Sequence, residues 1–352
     1  GEDTLSLHDA LPIFAQAGDF DGAAQIFAGK SGKFNLSRRG VIAYAKVLSQ
    51  LERGAEAAVM LEQGFNPAND PEIKDLIEHL RGGQALPLAG LMDAKDGLAE
   101  SLLGLAGALD QENDDGFALM HARAALALRP QDAETILLTA SLLMKLNQSD
   151  FAAQIYGMIP KTDPAFRDAE IGRAGAEFDA DRPDAAVKIL SDLAAANPTD
   201  ADVLLALGNG QRRVKSFDAA VKTYDATIAL LPPPNPNHWP VYFGRGVSYQ
   251  ELGKFDLAES DMRMALKLSP DQADVLNYLG YSLVDRGIKL DEALGMIQRA
   301  VAARPESGFI VDSLAWAYFR LGKYADALPP MEQASLLEPV DPIVTDHLRS
   351  EE

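Results

Sequence analysis

There is no cysteine anywhere in the 352 residues. Disulfides, thiolate nucleophiles and zinc–thiolate sites are thereby excluded. There is also no apolar run long enough to cross a membrane as a helix. Basic charge is scarce: 32 Lys and Arg stand against 52 Asp and Glu, giving a formal net charge of −20 and a pI near 4.6. Nucleic acid needs a basic surface, so it is not an expected partner. Docking on anionic lipid headgroups is disfavoured for the same reason. The plain consequence of the acidity is solubility.

Catalytic patterns are missing too. Outside the extreme ends the histidines are His79, His121, His238 and His347, and none has a ligand or general-base partner at a motif spacing such as HExxH. Ser101, Ser191 and Ser282 fall in helical patterns and not on a GxSxG elbow. Gly208–Gly210 lacks both the third glycine of a dinucleotide loop and a preceding strand. Aligning Gly116 with the invariant glycine of a calcium loop puts Gln111 at the first ligand position and Ala122 at the last, so that match fails. No catalytic residue, cofactor or metal is expected.

What the chain does have is a period. Pro130, Pro164, Pro198 and Pro232 are spaced 34 apart; Pro270, Pro305 and Pro339 follow at 38, 35 and 34. A proline lacks the N–H that would continue a helix, and it biases its predecessor away from helical angles. Twelve residues before each proline stands an alanine: Ala118, Ala152, Ala186, Ala220, Ala258, Ala293 and Ala327. A second small residue recurs one helix earlier, at Ala106, Ala140, Ala174, Gly208, Gly246, Gly280 and Ala315. Small residues at both places let two antiparallel helices cross closely. Leu105, Leu207, Leu279 and Leu314, each just before such a residue, are expected to fill the core.

The segments Asn277–Gly287, Val311–Leu328 and Glu338–Leu348 carry the pattern most fully. The period and these residues resemble the tetratricopeptide (TPR) repeat. That implies an all-α, right-handed superhelical solenoid of antiparallel helix pairs. The segment Tyr278–Leu348 is similar to large bacterial TPR proteins, many exported or lipid-anchored, some of which are adaptors for envelope proteases. The resemblance therefore implies a bacterial envelope location, periplasmic or outer-membrane-associated, with a lipid anchor on a preceding segment.

Thr4–Ile13 resembles an in-frame translation of a sequencing adapter, and Arg349–Glu352 resembles the start of its reverse complement. Residues 1–13 and 349–352 are accordingly set aside. The native chain is expected to continue both ways, with Asp341–Leu348 opening a further repeat. The remaining order is 14–95, truncated and degenerate repeats; 96–232, central repeats; 233–240, a proline-rich insertion; and 241–348, C-terminal repeats. Within the first block, Ser31–Gly32, Asn35–Ser37 and Asn66–Pro71 punctuate helices, and Gly82–Lys95 is a degenerate repeat or hinge. The insertion reads as a stiff spacer, or else as a recognition loop carrying Trp239. Pro329–Pro330 fall inside a helix, where a kink is expected.

In TPR proteins the first helices of the pairs line a groove that holds ligands. Carried onto this chain, the resemblance implies a partner-binding set of Phe243, Val247 and Gln250, then Asn277, Tyr281 and Val284, then Asp312, Trp316 and Phe319, with Phe309 and Arg320 beside the last. An aromatic-rich strip with few charges suits an extended or helical peptide with apolar anchors. The function expected is a non-catalytic scaffold or adaptor that binds other proteins or peptides. Two alternatives stand beside it: a structural subunit that uses its outer or end surfaces, and the recognition arm of an enzyme whose catalytic domain lies outside this sequence.

Overall fold

The computed structural model describes residues 18–27, 38–65, 70–87 and 94–339. The adapter-like ends, the expected repeat opening at Asp341–Leu348, the punctuation at 31–32 and 35–37, most of that at 66–71, and Leu88–Asp93 of the irregular stretch lie outside these residues. All the described regular structure is helical. Contacts divide the chain into two compact units, Gly1–Arg182 and Pro183–Glu352.

Unit 1 holds α1 (Phe20–Phe27), α2 (Arg38–Gln50), α3 (Gly54–Gly64), α4 (Pro71–Arg81), α5 (Ala94–Gln111), α6 (Asp115–Leu128), α7 (Ala133–Lys145), α8 (Ser149–Tyr156) and α9 (Phe166–Asp179). Consecutive helices pack as neighbours from α1 to α4 and again from α5 to α9. Unit 2 holds α10 (Pro183–Ala196), α11 (Ala201–Arg213), α12 (Phe217–Leu230), α13 (Trp239–Glu251), α14 (Phe255–Leu268), α15 (Ala273–Asp285), α16 (Leu290–Ala303), α17 (Gly308–Arg320) and α18 (Tyr324–Leu337). Here α11–α12, α13–α14, α15–α16 and α17–α18 are the pairs, and first helices also touch, α11 on α13 and α15 on α17.

The crossing residues explain the pairing. All seven alanines of the second helices, from Ala118 to Ala327, are buried. So are the small residues at the matching place in the first helices. Gly280 shows how tight the approach is: a Cβ there would lie 2.6 Å from Ile297 Cγ1 and 3.1 Å from the Ala293 carbonyl oxygen. Gly208 and Gly244 make room for one large ring, since a Cβ on either would meet Tyr224 at 2.8 and 2.5 Å. Tyr224 is fully buried there.

The turns repeat as faithfully as the helices. Asn113, Asn147, Asp181, Lys215, Gly253, Gly287 and Gly322 each take positive φ between the two helices of a repeat. A left-handed residue lets the chain reverse within a few residues. Between repeats, Pro130 and Pro198 stop one helix, and the aspartate two residues later caps the next. Asp132 accepts from Thr135 N at 2.9 Å, and Asp200 accepts from Asp202 N and Val203 N at 3.0 and 3.1 Å.

Several expectations meet particular outcomes. Leu207 and Leu279 are buried, and Leu314 packs against the core of unit 2. Leu105 is not in the core; it is 46% exposed on α5, on the same face as the exposed Leu98 one heptad earlier. The helix register set its direction but could not supply a neighbour to cover it. The stretch after α4 is pinned: Leu86 is buried, its N–H donates to Ser49 Oγ at 3.0 Å, and its carbonyl accepts from Gln50 Nε2 at 2.7 Å. The insertion forms a short 3₁₀ turn, Pro236–His238, capped by Asn235. Helix α18 runs through Pro329 and Pro330, which deprives the carbonyls of Ala325 and Asp326 of their helical donors. His79 is exposed and His121 half-buried, each ring nitrogen meeting the carbonyl one turn earlier.

Candidate functional site

The candidate site is built on the first helices of unit 2. Three offsets from the crossing residue, −3, +1 and +4, select one face of each helix. On α13 they give Phe243, Val247 and Gln250; on α15, Asn277, Tyr281 and Val284; on α17, Asp312, Trp316 and Phe319. Successive first helices present these faces side by side.

These residues are not equally available. Val247, Val284 and Asp312 are buried, the two valines as members of the unit 2 core. Phe309 is 52% exposed at the start of α17. The rest are half-buried. Phe243 meets Tyr278 edge-on with centroids 5.8 Å apart and Trp239 at 6.1 Å, which ties the end of the proline-rich insertion to this face. Trp316 stacks on Phe319 at 5.3 Å, Tyr324 closes edge-on to Phe319 at 5.4 Å, and Arg320 lies over the Trp316 ring at 5.7 Å. Arg320 is held in place by the Asp285 carbonyl at 3.0 Å. The result is an aromatic bay at the α17 end, edged by a cation. Burial pushes the Tyr281 hydroxyl above its ordinary pKa; Asp285 and Asp312 add to this, and Arg320 opposes it. The ring therefore stays neutral and serves as a surface with a hydroxyl handle.

Between the bay and the other end lie two amide side chains. Gln250 Oε1 and Asn277 Oδ1 are buried and accept no hydrogen bond from any described residue. A buried acceptor left unmet costs about 1–3 kcal/mol.

One helix escaped the sequence reading. The same offsets from Gly208 give Leu205, Asn209 and Arg212 on α11. Asn209 Oδ1 accepts the Tyr224 hydroxyl at 2.8 Å, and Arg212 Nε is buried without an acceptor. Extending the register by one repeat would have found them. Tyr278 and Tyr324, which complete the ring contacts, sit off the chosen offsets and carried no such signal.

A tetratricopeptide-repeat family model matches residues 171–235 and 243–308. These segments are TPRs. A TPR repeat-containing protein of Pseudomonas aeruginosa is 31% identical over 132 residues, which cover 37% of this chain and 20% of that protein. The chain thus spans about a fifth of the length of this curated relative. A tetratricopeptide repeat protein from Parabacteroides merdae aligns over 72% of this chain and 98% of its own, with a TM-score of 0.57 and 12% identity. A chain of the APC/C hetero-tetramer Cut9–Hcn1 aligns over 96% of this chain and 75% of its own, with a TM-score of 0.53 and 15% identity. At these identities the likeness to solved structures is one of fold. TPR proteins commonly mediate protein–protein interactions, as adaptors or complex subunits, and are generally non-catalytic. Among the described residues no helix is long and apolar enough to cross a membrane, and no cluster of three or more His, Asp or Glu could hold a metal.

Proposed function

We propose that this chain is a non-catalytic adaptor that holds an extended segment of a partner protein on the first-helix face of α13, α15 and α17. The observation that carries this reading is the pairing of an aromatic bay with two buried, unmet amide acceptors in one row. Trp316 and Phe319 offer flat apolar surface to a side chain. Gln250 Oε1 and Asn277 Oδ1 offer acceptors to backbone N–H groups, which an extended segment carries at every non-proline residue. Binding would thus satisfy groups that the folded chain leaves unmet. The test is selection from a displayed peptide library on the full chain and on the Trp316→Ala/Tyr281→Ala double variant. The expected result is enrichment on the first and none on the second, with equal far-UV circular dichroism. Equal enrichment on both would remove the face from the proposal.

A second reading has its own observation. Phe117 and Met120 on α6 and Phe151 on α8 are each more than half exposed on second helices of unit 1. Phe117 and Phe151 occupy the same place in consecutive repeats, each one residue before the crossing alanine. Apolar side chains repeated there suit a structural subunit that packs by its outer helices. Association that survives the inner-face double variant and fails in Phe117→Ser/Phe151→Ser would favour it.

A further inference from the structure

We infer that the segment held on this face carries an aspartate or glutamate side chain that docks on Arg212, about eight residues from the side chain seated at Trp316. This rests on the adaptor reading above and specifies the chemistry of its partner.

The starting point is a contrast among arginines. Arg129, Arg173 and Arg245 are each half-buried and paired. Arg129 meets Asp96 and Glu100 at 3.0 Å, Arg173 meets Glu170 at 2.6 Å, and Arg245 meets Asp261 and Asp225 at 2.7 Å. Arg212 is also half-buried, yet among the described residues it makes no ion pair, and its Nε is shut away from water without an acceptor. In a chain with 52 acidic residues against 32 basic ones, an inner-face guanidinium without a carboxylate is out of keeping. A partly desolvated cation with an unmet N–H favours an anion that can accept from it.

The surroundings fit. Asn209, one turn before Arg212, uses its Oδ1 to accept from Tyr224, which leaves its NH₂ to donate beside the guanidinium. Tyr224 is hydrogen-bonded to Arg212 and Tyr278 sits within its field, which offsets part of the upward push of burial on both hydroxyls; the one protein partner this gives the guanidinium is neutral. Glu251 acts on Tyr278 in the opposite sense and makes no ion pair with Arg212. Among the described residues it is a carboxylate that acts on the same ring as Arg212.

Spacing follows from the stack. From α11 to α17 there are three steps between first helices, about 9 Å each, or about 27 Å in all. An extended chain rises about 3.3 Å per residue, so about eight residues span that distance. A side-chain carboxylate is the anion tested, because the capped peptides below carry no terminal charge.

The experiment uses the full chain and fluorescein-labelled, N-acetylated and C-amidated peptides with a neutral Gly-Ser-Ala background. Each has one Trp and one Asp, about four, eight or twelve positions apart. Fluorescence anisotropy should show the tightest binding near eight, weakened about tenfold by Asp→Asn in the peptide. Arg212→Gln should make the Asp and Asn peptides bind alike, and Glu251→Gln should strengthen the Asp peptide. Added salt should weaken the Asp peptide and spare the Asn peptide, a readout that needs no variant. If Asp and Asn peptides bind alike to the wild type while Trp316→Ala still abolishes binding, the inference is overturned and the adaptor reading stands. If no peptide binding depends on Trp316, the adaptor reading falls as well.

Discussion

The two units solve the same packing problem and present different side chains to solvent. Their crossing residues are nearly interchangeable: Ala106, Ala140 and Ala174 in unit 1, and Gly208, Gly246, Gly280 and Ala315 in unit 2. One residue further along each first helix the likeness ends. Unit 1 has Gly107, Ser141 and Gly175, whereas unit 2 has Asn209, Val247, Tyr281 and Trp316. The second helices differ by degree: unit 1 exposes Phe117 and Phe151 there, whereas unit 2 exposes Leu257 on α14 and then places Glu292 and Asp326 on α16 and α18. Positions that touch across a helix pair are fixed by volume, because a close-packed interior tolerates little change. Positions that face outward from the pair are free to differ. The proposed binding face lies in this difference between the units.

The largest effect should come from breaking what the units share. Gly280→Val puts a branched side chain where even a Cβ would lie 2.6 Å from Ile297. Overpacking of this kind costs about 3 kcal/mol. Hydrogen exchange read helix by helix should show α15 and α16 losing protection while α7 and α8 keep theirs. Ala140→Leu should do the converse in unit 1. Equal loss across all helices from either variant would mean that the units do not unfold separately.

The next effect sharpens what they do not share. Trp316→Ala with Tyr281→Ala should weaken any peptide selected on unit 2 by about thirtyfold or more, the scale of an interface anchor. Helicity should be unchanged, because neither side chain crosses a helix pair. Phe117→Ser with Phe151→Ser should leave that binding intact and shift stability by less than about 0.5 kcal/mol. A loss of peptide binding from the unit 1 pair would erase the functional contrast between the units.

The period explains how much of this could be read beforehand. Prolines, alanines and glycines at set intervals specify helix pairs because each acts in one physical way. A proline stops a helix, an alanine admits a neighbour, and a glycine in a turn reverses the chain. The site was legible only in direction. Offsets from Gly246, Gly280 and Ala315 select a helix face, but they do not say what lies over it. Val247, Val284 and Asp312 were chosen by register, and neighbouring side chains bury them. Leu105 was assigned to the core by the same register and is exposed. Arg212 was missed because aromatic content, and not register alone, decided where the reading stopped. Its significance lies in a missing partner, and a sequence does not show which acid fails to reach which base.

The smallest effect tests the outer faces. On α16, Glu292 occupies the place that Phe117 and Phe151 hold on α6 and α8, one residue before the crossing alanine. There it pairs with Arg263 at 2.8 Å, while Glu259 meets both Arg263 and Lys289, joining α14 to α16. The Arg263 guanidinium holds the Glu292 carboxyl below its ordinary range, and Lys289 above all does the same for Glu259. A carboxylate with a depressed folded pKa adds stability that is fully present above its unfolded value. That stability is lost as pH falls through the folded one. With the ordinary value at 4.5, the contribution should be whole at pH 7 and should fade below about pH 4.5. Both groups border solvent, so each contributes less than about 1 kcal/mol. Urea midpoints of the wild type and of Glu259→Gln/Glu292→Gln should therefore differ slightly at neutral pH and converge in acid. A gap that persists in acid would assign the loss to packing rather than charge.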